Sequence, residues 1–182
     1  MMNLLDAVNT ILALATIVSQ VFIVLAIIYL FLPNKNKTVN NFFTKNSIAL
    51  AFVVALVSTC GSLFYSNVAG FSPCPLCWFQ RIFMYPEVVI LGLGLLKKDE
   101  RVIDYTLPLS IIGLVISLYH NYIVFNGLRS LVCTASEPCT TNFVLVYGYI
   151  TIPMMALTAF ALISLLLILF LISRRTNNMA PG

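Results

Sequence analysis

The chain has too few charged residues for the surface of a water-soluble protein. Of its 182 residues, 9% are charged and 60% are hydrophobic, a balance that no surface facing water could carry. It also lacks a glycine-rich nucleotide-binding motif and a recognisable haem or flavin site, which argues against the common bound electron carriers. We therefore expect an integral membrane protein.

Apolar runs long enough to cross a bilayer occur five times. A membrane helix needs about 20 apolar residues to cross a hydrocarbon core of about 30 Å. Such runs lie at residues 8–32, 47–68, 78–96, 105–125 and 146–172. The first has no basic residue before it and no small-residue cleavage site after it, so we interpret it as a retained helix and not a signal peptide. The prediction is an all-α integral membrane protein with five spans.

The basic residues predict how these helices are oriented, because Lys and Arg accumulate in cytoplasmic loops. Eight of the ten basic residues fall on one side of the five-helix arrangement: Lys35, Lys37, Lys45, Lys97, Lys98, Arg101, Arg174 and Arg175. The other side holds only Arg81 and Arg129. We therefore expect the N-terminus outside, the C-terminus inside, and the loops at residues 69–77 and 126–145 outside, where disulfides can persist.

The first outer loop carries a Cys-x-x-Cys motif at the start of a helix. Pro75 suits the first helical position, which makes Cys74 the N-cap and puts Cys77 within the first turn. Unsatisfied backbone N–H groups and the helix dipole stabilise a thiolate at such a position. Arg81 follows Cys77 at helical spacing and can stabilise a Cys77 thiolate, or it can anchor the helix at the headgroups.

The second outer loop carries Cys133 and Cys139, which enclose a polar segment. We expect a disulfide between them to be exposed and open to attack by an outside thiolate. Electrons that enter there need an exit, and a membrane quinone is the natural acceptor. His120, about one turn inside the outer end of the fourth helix, provides a hydrogen-bonding side chain at matching depth. We expect Cys60 to be a buried apolar residue without a function, and Glu87 to face the bundle or water or to be protonated.

These residues resemble the DsbB family of disulfide bond formation proteins, in particular its compact branch often called BdbC. The stretch CPLCWFQRIFMYP at residues 74–86 resembles the first external motif of that branch, and YHNY at 119–122 and GYITIPM at 148–154 resemble its later helix signatures. The resemblance covers residues 47–173 and implies a DsbB-like four-helix bundle. Residues 1–46 then add an N-terminal transmembrane helix and a basic cytoplasmic loop, and residues 174–182 add a polar cytoplasmic tail.

The resemblance also implies a thiol:quinone oxidoreductase that reoxidises a DsbA-like thioredoxin-fold oxidase outside the cytoplasm. Cys133 of the Cys133–Cys139 disulfide takes the mixed disulfide, and Cys139 passes the electrons to the Cys74–Cys77 pair. Cys77 then faces a quinone, either ubiquinone or menaquinone, and Arg81 and His120 lie near its headgroup. The implied location is the bacterial cytoplasmic (inner) membrane, with the active site on the extracytoplasmic face; no metal or nucleic acid is expected.

Other interpretations stay open at this point. Two static disulfides could staple the loops, although a ring as small as that of Cys-x-x-Cys adds little stability. Four thiolates could bind zinc. A vitamin-K-epoxide-reductase-like protein also couples thiols to a quinone, but its quinone-side pair lies late in the chain. A non-catalytic membrane scaffold predicts unreactive cysteines.

Overall fold

The computed structural model describes residues 2–31, 37–127, 133, 139 and 144–179, and these are arranged as a bundle of five α-helices. The helices are α1 (Met2–Phe31), α2 (Lys37–Leu63), α3 (Pro75–Lys97), α4 (Val102–Asn126) and α5 (Ile152–Met179). All five are long and apolar enough to cross a membrane, and the described residues form no strand. The predicted all-α fold with five membrane-spanning helices is confirmed.

Two helices extend beyond the apolar runs from which they were predicted. Helix α2 begins at Lys37, so part of the predicted cytoplasmic loop is helical, and it continues into a π-helical turn at Phe64–Val68. Helix α5 extends to Met179 and includes most of the predicted tail. An apolar run marks the part of a helix inside the membrane, whereas the backbone hydrogen bonds continue into polar residues beyond it.

Helix α5 begins later than predicted because a tight turn precedes it. Val146 and Ile150 exchange two backbone hydrogen bonds of 3.0 Å. Between them, Tyr147 and Gly148 have positive φ angles of 52° and 79°, which a helix cannot contain. The prediction that this helix begins at residue 146 is therefore wrong.

Helix α5 forms the centre of the bundle, with α1, α2 and α4 packed around it. Its buried side chains include Phe160, Leu166, Leu167 and Phe170. The glycine at position 113 of α4 allows the closest approach, since a Cβ atom there would lie 2.2 Å from Phe160 Cε1. Close packing of this kind holds membrane helices together, because lipid is as apolar as the helices themselves.

Two hydrogen bonds establish how α1 runs relative to α2. Tyr65, at the end of α2, donates to Asn9 Oδ1 near the start of α1 at 2.9 Å, and Tyr29 donates to Asn40 Oδ1 near the start of α2 at 3.0 Å. The start of α1 therefore lies on the same side of the bundle as Cys74, and the end of α5 lies opposite, where Arg174 pairs with Glu100 at 3.1 Å. This agrees with the predicted relative arrangement. Lys35 and Arg129 lie outside the described residues.

Glu87 lies inside α3 and is fully buried, with 0% of its surface exposed. The prediction that it faces the bundle is confirmed. Pro86 beside it is accommodated within a continuous helix.

Candidate redox site

The Cys-x-x-Cys motif has the helix-start geometry that its sequence predicts. Cys74 is the N-cap of α3 in an extended conformation, with φ −66° and ψ 163°, and Pro75 follows at the first helical position. The Cys74 sulfur accepts a hydrogen bond from the backbone N–H of Cys77 at 3.3 Å. Both cysteines are free thiols in this structure. The sulfur of Cys74 thus takes the capping role that a Ser or Asp oxygen has in other helices.

Cys74 has an environment that favours its thiolate form. The Cys77 thiol donates to it, and His120 Nε2 lies 3.8 Å from its sulfur. These contacts outweigh burial and lower the pKa of Cys74 to about 5, against an ordinary value of about 8.5. Cys74 is therefore ionised at neutral pH when the pair is reduced.

His120 connects the two cysteine pairs. Its side chain is buried, with 1% exposed, and its Nε2 lies 3.3 Å from the carbonyl oxygen of Cys139 as well as near Cys74. On the other side of the ring, Gln80 Nε2 lies 3.4 Å from Nδ1. An amide nitrogen can only donate, so Nδ1 accepts and Nε2 carries the proton. The resulting tautomer points its N–H toward both cysteines.

Cys133 and Cys139 are joined in a disulfide with a Cα–Cα distance of 5.8 Å. Cys139 is buried, with 4% exposed, and packs in one cluster with Cys74, Leu76 and Ile123, whereas Cys133 is only partly buried at the edge of that cluster. The expectation of an exposed disulfide is therefore wrong for Cys139, because its sulfur packs against the start of α3. Cys133 is the more accessible of the two sulfurs.

The disulfide also bears on the zinc alternative. A site with four thiolates does not exist in this structure, since the sulfurs of Cys133 and Cys139 are bonded to each other. Ligand atoms of Cys74, Cys77 and His120 do lie within 4.8 Å of one another. A metal would thus have three protein ligands in the described part of the chain.

A largely apolar cavity of about 310 Å³ opens beside the cysteines. Its volume lies at the lower end of the range of about 300 to 1,000 Å³ for small-molecule sites. Residues of all five helices line it, among them Leu12, Val57, Ser62, Cys77, Arg81, His120 and Ala156. The structure thus brings Cys77, Arg81 and His120 to one cavity, as the sequence predicts.

Arg81 is held by α2. Its Nε donates to the Ser62 hydroxyl at 2.9 Å and its Nη2 to the Ser62 carbonyl oxygen at 3.0 Å. The guanidinium carbon lies 5.2 Å from the centre of the Trp78 ring, a cation–π distance. These contacts offset the cost of placing a charged arginine near the apolar boundary of the membrane. The positive charge therefore stands at a defined position on the cavity wall.

The family model described as "Disulfide bond formation protein DsbB" matches residues 44–172. This chain belongs to the DsbB family. Among its relatives, disulfide bond formation protein C of Bacillus subtilis is 44% identical over 127 residues, covering 65% of this chain and 90% of that protein. The SPbeta prophage-derived disulfide bond formation protein B of Bacillus subtilis is 44% identical over 125 residues, covering 68% and 84% respectively.

A probable disulfide formation protein of Oceanobacillus iheyensis is 42% identical over 133 residues, with 70% of this chain and 90% of that protein covered. No solved structure matches the chain. Membership of the DsbB family makes this a multi-pass membrane protein with a thiol oxidoreductase role in disulfide bond formation.

The structure adds residues to this DsbB-family site that sequence reasoning missed. Gln80 hydrogen-bonds to His120, and Ser62 holds Arg81. The Tyr85 hydroxyl also donates to the Ser62 hydroxyl at 3.4 Å. Gln80 follows Cys77 at helical spacing, a signal that could have placed it on the same face of α3. Ser62 lies in an uncharged run, and nothing around it in the sequence distinguishes it from the other small residues of α2.

The prediction that Cys60 is buried is wrong. The residue is exposed on α2. In a bundle whose helices cross a membrane, the outward face of a helix meets lipid, and a cysteine suits that environment as well as a protein core.

Proposed function

We propose that this DsbB-family protein is a thiol:quinone oxidoreductase that reoxidises an extracytoplasmic, DsbA-like thioredoxin-fold oxidase. One observation carries the proposal: Cys139 and Cys74 lie in one buried cluster, and both line the same apolar cavity as Cys77 and Arg81. The two disulfide-forming pairs and the cavity are thus contiguous. Two electrons can pass along this path by thiol–disulfide exchange between neighbouring sulfurs.

The entry step uses Cys133. A thiolate of the partner attacks the Cys133 sulfur, because Cys139 is shielded by the start of α3. The Cys133–Cys139 bond breaks, a mixed disulfide forms at Cys133, and Cys139 leaves as a thiolate. The partner's second thiol then displaces Cys133. In total the partner becomes a disulfide, and Cys133 and Cys139 gain two electrons and two protons.

The transfer step joins the two loops. The Cys139 thiolate attacks Cys74 of an oxidised Cys74–Cys77 pair, and Cys77 leaves as a thiolate. Cys133 then attacks Cys139, which restores their disulfide and releases Cys74. A thiol with a low pKa leaves faster, so the lowered pKa of Cys74 favours this direction.

The cavity fits the quinone that the exit step requires. Its wall is largely apolar, and its polar residues include His120 beside Cys74 and Arg81 held by Ser62. A bound quinone, either ubiquinone or menaquinone, supplies the capacity to accept two electrons and two protons as Cys74 and Cys77 close their disulfide. Arg81 and Cys77 would hold the headgroup, with Arg81 supplying positive charge and Cys77 the reacting sulfur.

The proposed location is the bacterial cytoplasmic membrane, with the cysteines on its extracytoplasmic face. Lys97, Lys98 and Arg101 lie at the opposite ends of α3 and α4, and Arg174 and Arg175 lie near the end of α5. The positive-inside rule assigns that end to the cytoplasm. The sulfurs then meet an oxidising compartment in which disulfides persist.

Quinone reduction by the purified protein tests the proposal. Protein in detergent is mixed with a reduced thioredoxin-fold partner, and the absorbance of short-chain ubiquinone and menaquinone analogues is followed. We expect turnover by the parental protein and its loss in Cys77→Ser and Cys133→Ala. Cys60→Ala, on the outward face of α2, should keep the parental rate.

The outcomes separate the alternatives. Parental turnover in Cys77→Ser would contradict the assigned exit. Folded parental protein that reduces neither quinone with its cognate partner would favour the scaffold. Stoichiometric zinc in that inactive protein would instead favour a metal role for Cys74, Cys77 and His120.

A further inference from the structure

One wall of the cavity comes from a helix outside the family match. The match begins at residue 44, whereas α1 spans Met2–Phe31. Four side chains of α1 nevertheless line the cavity that contains Cys77 and Arg81: Leu12, Ala15, Thr16 and Ser19. The four-helix part of the chain therefore does not enclose this cavity by itself.

Hydrogen bonds hold α1 on both sides of these residues. Toward the cysteine end, Asn9 accepts from Tyr65 at 2.9 Å. Toward the middle of the helix, Gln20 Nε2 donates to Thr158 of α5 at 3.3 Å, and the Tyr149 hydroxyl donates to Gln20 Oε1 at 3.1 Å. The lining segment thus runs between one contact at the end of α2 and another at α5.

Packing between these contacts is also close. Leu12 lies against Gly61 of α2, where an added Cβ atom would be 3.2 Å from Leu12 Cδ1. The Thr16 hydroxyl donates to the Leu12 carbonyl at 2.7 Å, so its polar atom is satisfied within α1. Leu12, Ala15 and the Thr16 methyl group therefore offer hydrocarbon surface to the cavity, and Ser19 adds a hydroxyl.

We propose that α1 is the lateral wall of the quinone site and that Leu12, Ala15, Thr16 and Ser19 determine which quinones fit. The inference rests on the proposed function, since it assigns the cavity to the quinone. Without α1, the cavity residues that it contacts, Gly61 of α2 and Thr158 of α5, would face lipid. The apolar surface of α1 suits the ring substituents and the first part of the lipid tail, while Arg81 and Ser62 form the polar part of the site.

A pair of identical substitutions on α1 tests this role. Ala15→Phe adds bulk to the cavity wall, whereas Ala7→Phe adds the same bulk at an exposed position that does not line the cavity. We expect Ala15→Phe to raise the KM for short-chain ubiquinone and menaquinone analogues about tenfold or more. It should also remove the rise in melting temperature that these quinones produce. Ala7→Phe should match the parental protein in both measurements.

A third measurement distinguishes an effect on quinone binding at the α1 wall from an effect on thiol exchange. Formation of the mixed disulfide between the reduced partner and Cys133 requires no quinone, so Ala15→Phe should leave its rate unchanged. If the parental protein reduces quinone and Ala15→Phe keeps the parental KM and melting shift, the role of α1 is overturned. If the parental protein itself reduces no quinone, the proposed function fails first.

A second variant covers the case in which Ala15→Phe does not fold. Leu12→Ala removes volume from the same wall, and we expect it to change the ratio of the KM values for the fused-ring menaquinone and single-ring ubiquinone analogues by about threefold or more. An unchanged ratio, in folded protein that still reduces quinone, would also overturn the inference.

Discussion

The two halves of the bundle are packed differently, although the same helices run through both. In the half away from the cysteines, α5 buries Leu166, Leu167 and Phe170 with about 1% or less of their surface exposed. In the cysteine half, the same helix has Ala156 and Ala159 beside the cavity. One half therefore supplies the packing that keeps the helices together. The other half is packed less tightly and contains the cavity, which has room for a ligand.

Polar side chains around the cysteines are held by hydrogen bonds. Around the cysteines, His120, Gln80 and Arg81 hydrogen-bond to neighbouring helices or to Cys139. Buried oxygens without a hydrogen-bond partner among the described residues occur in both halves, for example at Ser47 in one and at Ser117 in the other. Mutual hydrogen bonds fix the orientation of buried polar groups. The cysteine half thus combines open space with ordered side chains, as expected of a site and not of a packing defect.

We expect the largest difference between the halves when a leucine in each is replaced by alanine and the free energy of unfolding is measured. Leu166→Ala should lower the free energy of unfolding by about 2 to 5 kcal/mol, since it leaves a void in the packed half. Leu12→Ala should cost less, because Leu12 already borders open space. Denaturation of the detergent-solubilised protein by a denaturing surfactant measures both. Equal losses would contradict the difference in packing.

Titration of Cys74 measures the electrostatics of the cysteine half. In protein carrying Cys77→Ser and Cys60→Ala, ultraviolet thiolate absorbance should show a Cys74 pKa well below the ordinary value of about 8.5. In the intact pair the folded-state pKa of Cys74 is lowered to about 5. The contacts to the thiolate therefore stabilise the reduced protein at neutral pH. This stabilisation is lost as the pH falls through about 5 and the thiolate is protonated.

The serine hydroxyl in that protein keeps a donor near the Cys74 sulfur. Adding His120→Phe removes the other donor and should raise the pKa by about one unit, which is about 1.4 kcal/mol. A Cys74 pKa that His120→Phe leaves unchanged would show that His120 does not stabilise the thiolate.

Gln80 offers a smaller test of how His120 is positioned. Gln80→Leu removes the donor to Nδ1 and should slow electron transfer from Cys139 to Cys74 several-fold. Gln80→Glu replaces the donor by an acceptor when ionised, so it should shift the pH profile of that step. Rapid-mixing measurements of disulfide exchange check both variants. Parental rates and pH profiles in both would exclude a positioning role.

The smallest expected effect concerns the anchor of Arg81. Ser62→Ala removes one hydrogen bond to the guanidinium, worth about 0.5 to 1.5 kcal/mol, and should raise the KM for quinone about two- to tenfold. Thr44→Val is the control, because the Thr44 hydroxyl bonds only the Asn40 carbonyl of its own helix and does not line the cavity. Steady-state kinetics over a range of quinone concentrations distinguish the two. Equal KM values would contradict the anchor.

Local patterns predicted the features that depend on neighbouring residues in the chain. Pro75 and the cysteine spacing predicted the helix start at Cys74, and five apolar runs predicted five spanning helices. These predictions succeed because capping and membrane spanning depend on short segments. The electron path through the four cysteines stays a prediction of family resemblance, as do the quinone roles of Arg81 and His120.

The sequence by itself determined the fold class, the helix-start geometry of Cys74 and Cys77, and the family. Only the tertiary structure decided that Cys139 is buried in one cluster with Cys74, that Ser62 holds Arg81 and that α1 lines the cavity. A helix in lipid is apolar on every side, so its sequence does not distinguish the face that meets another helix from the face that meets lipid. Contacts between helices are decided by shape and by a few polar pairs, and both exist only once the helices have packed.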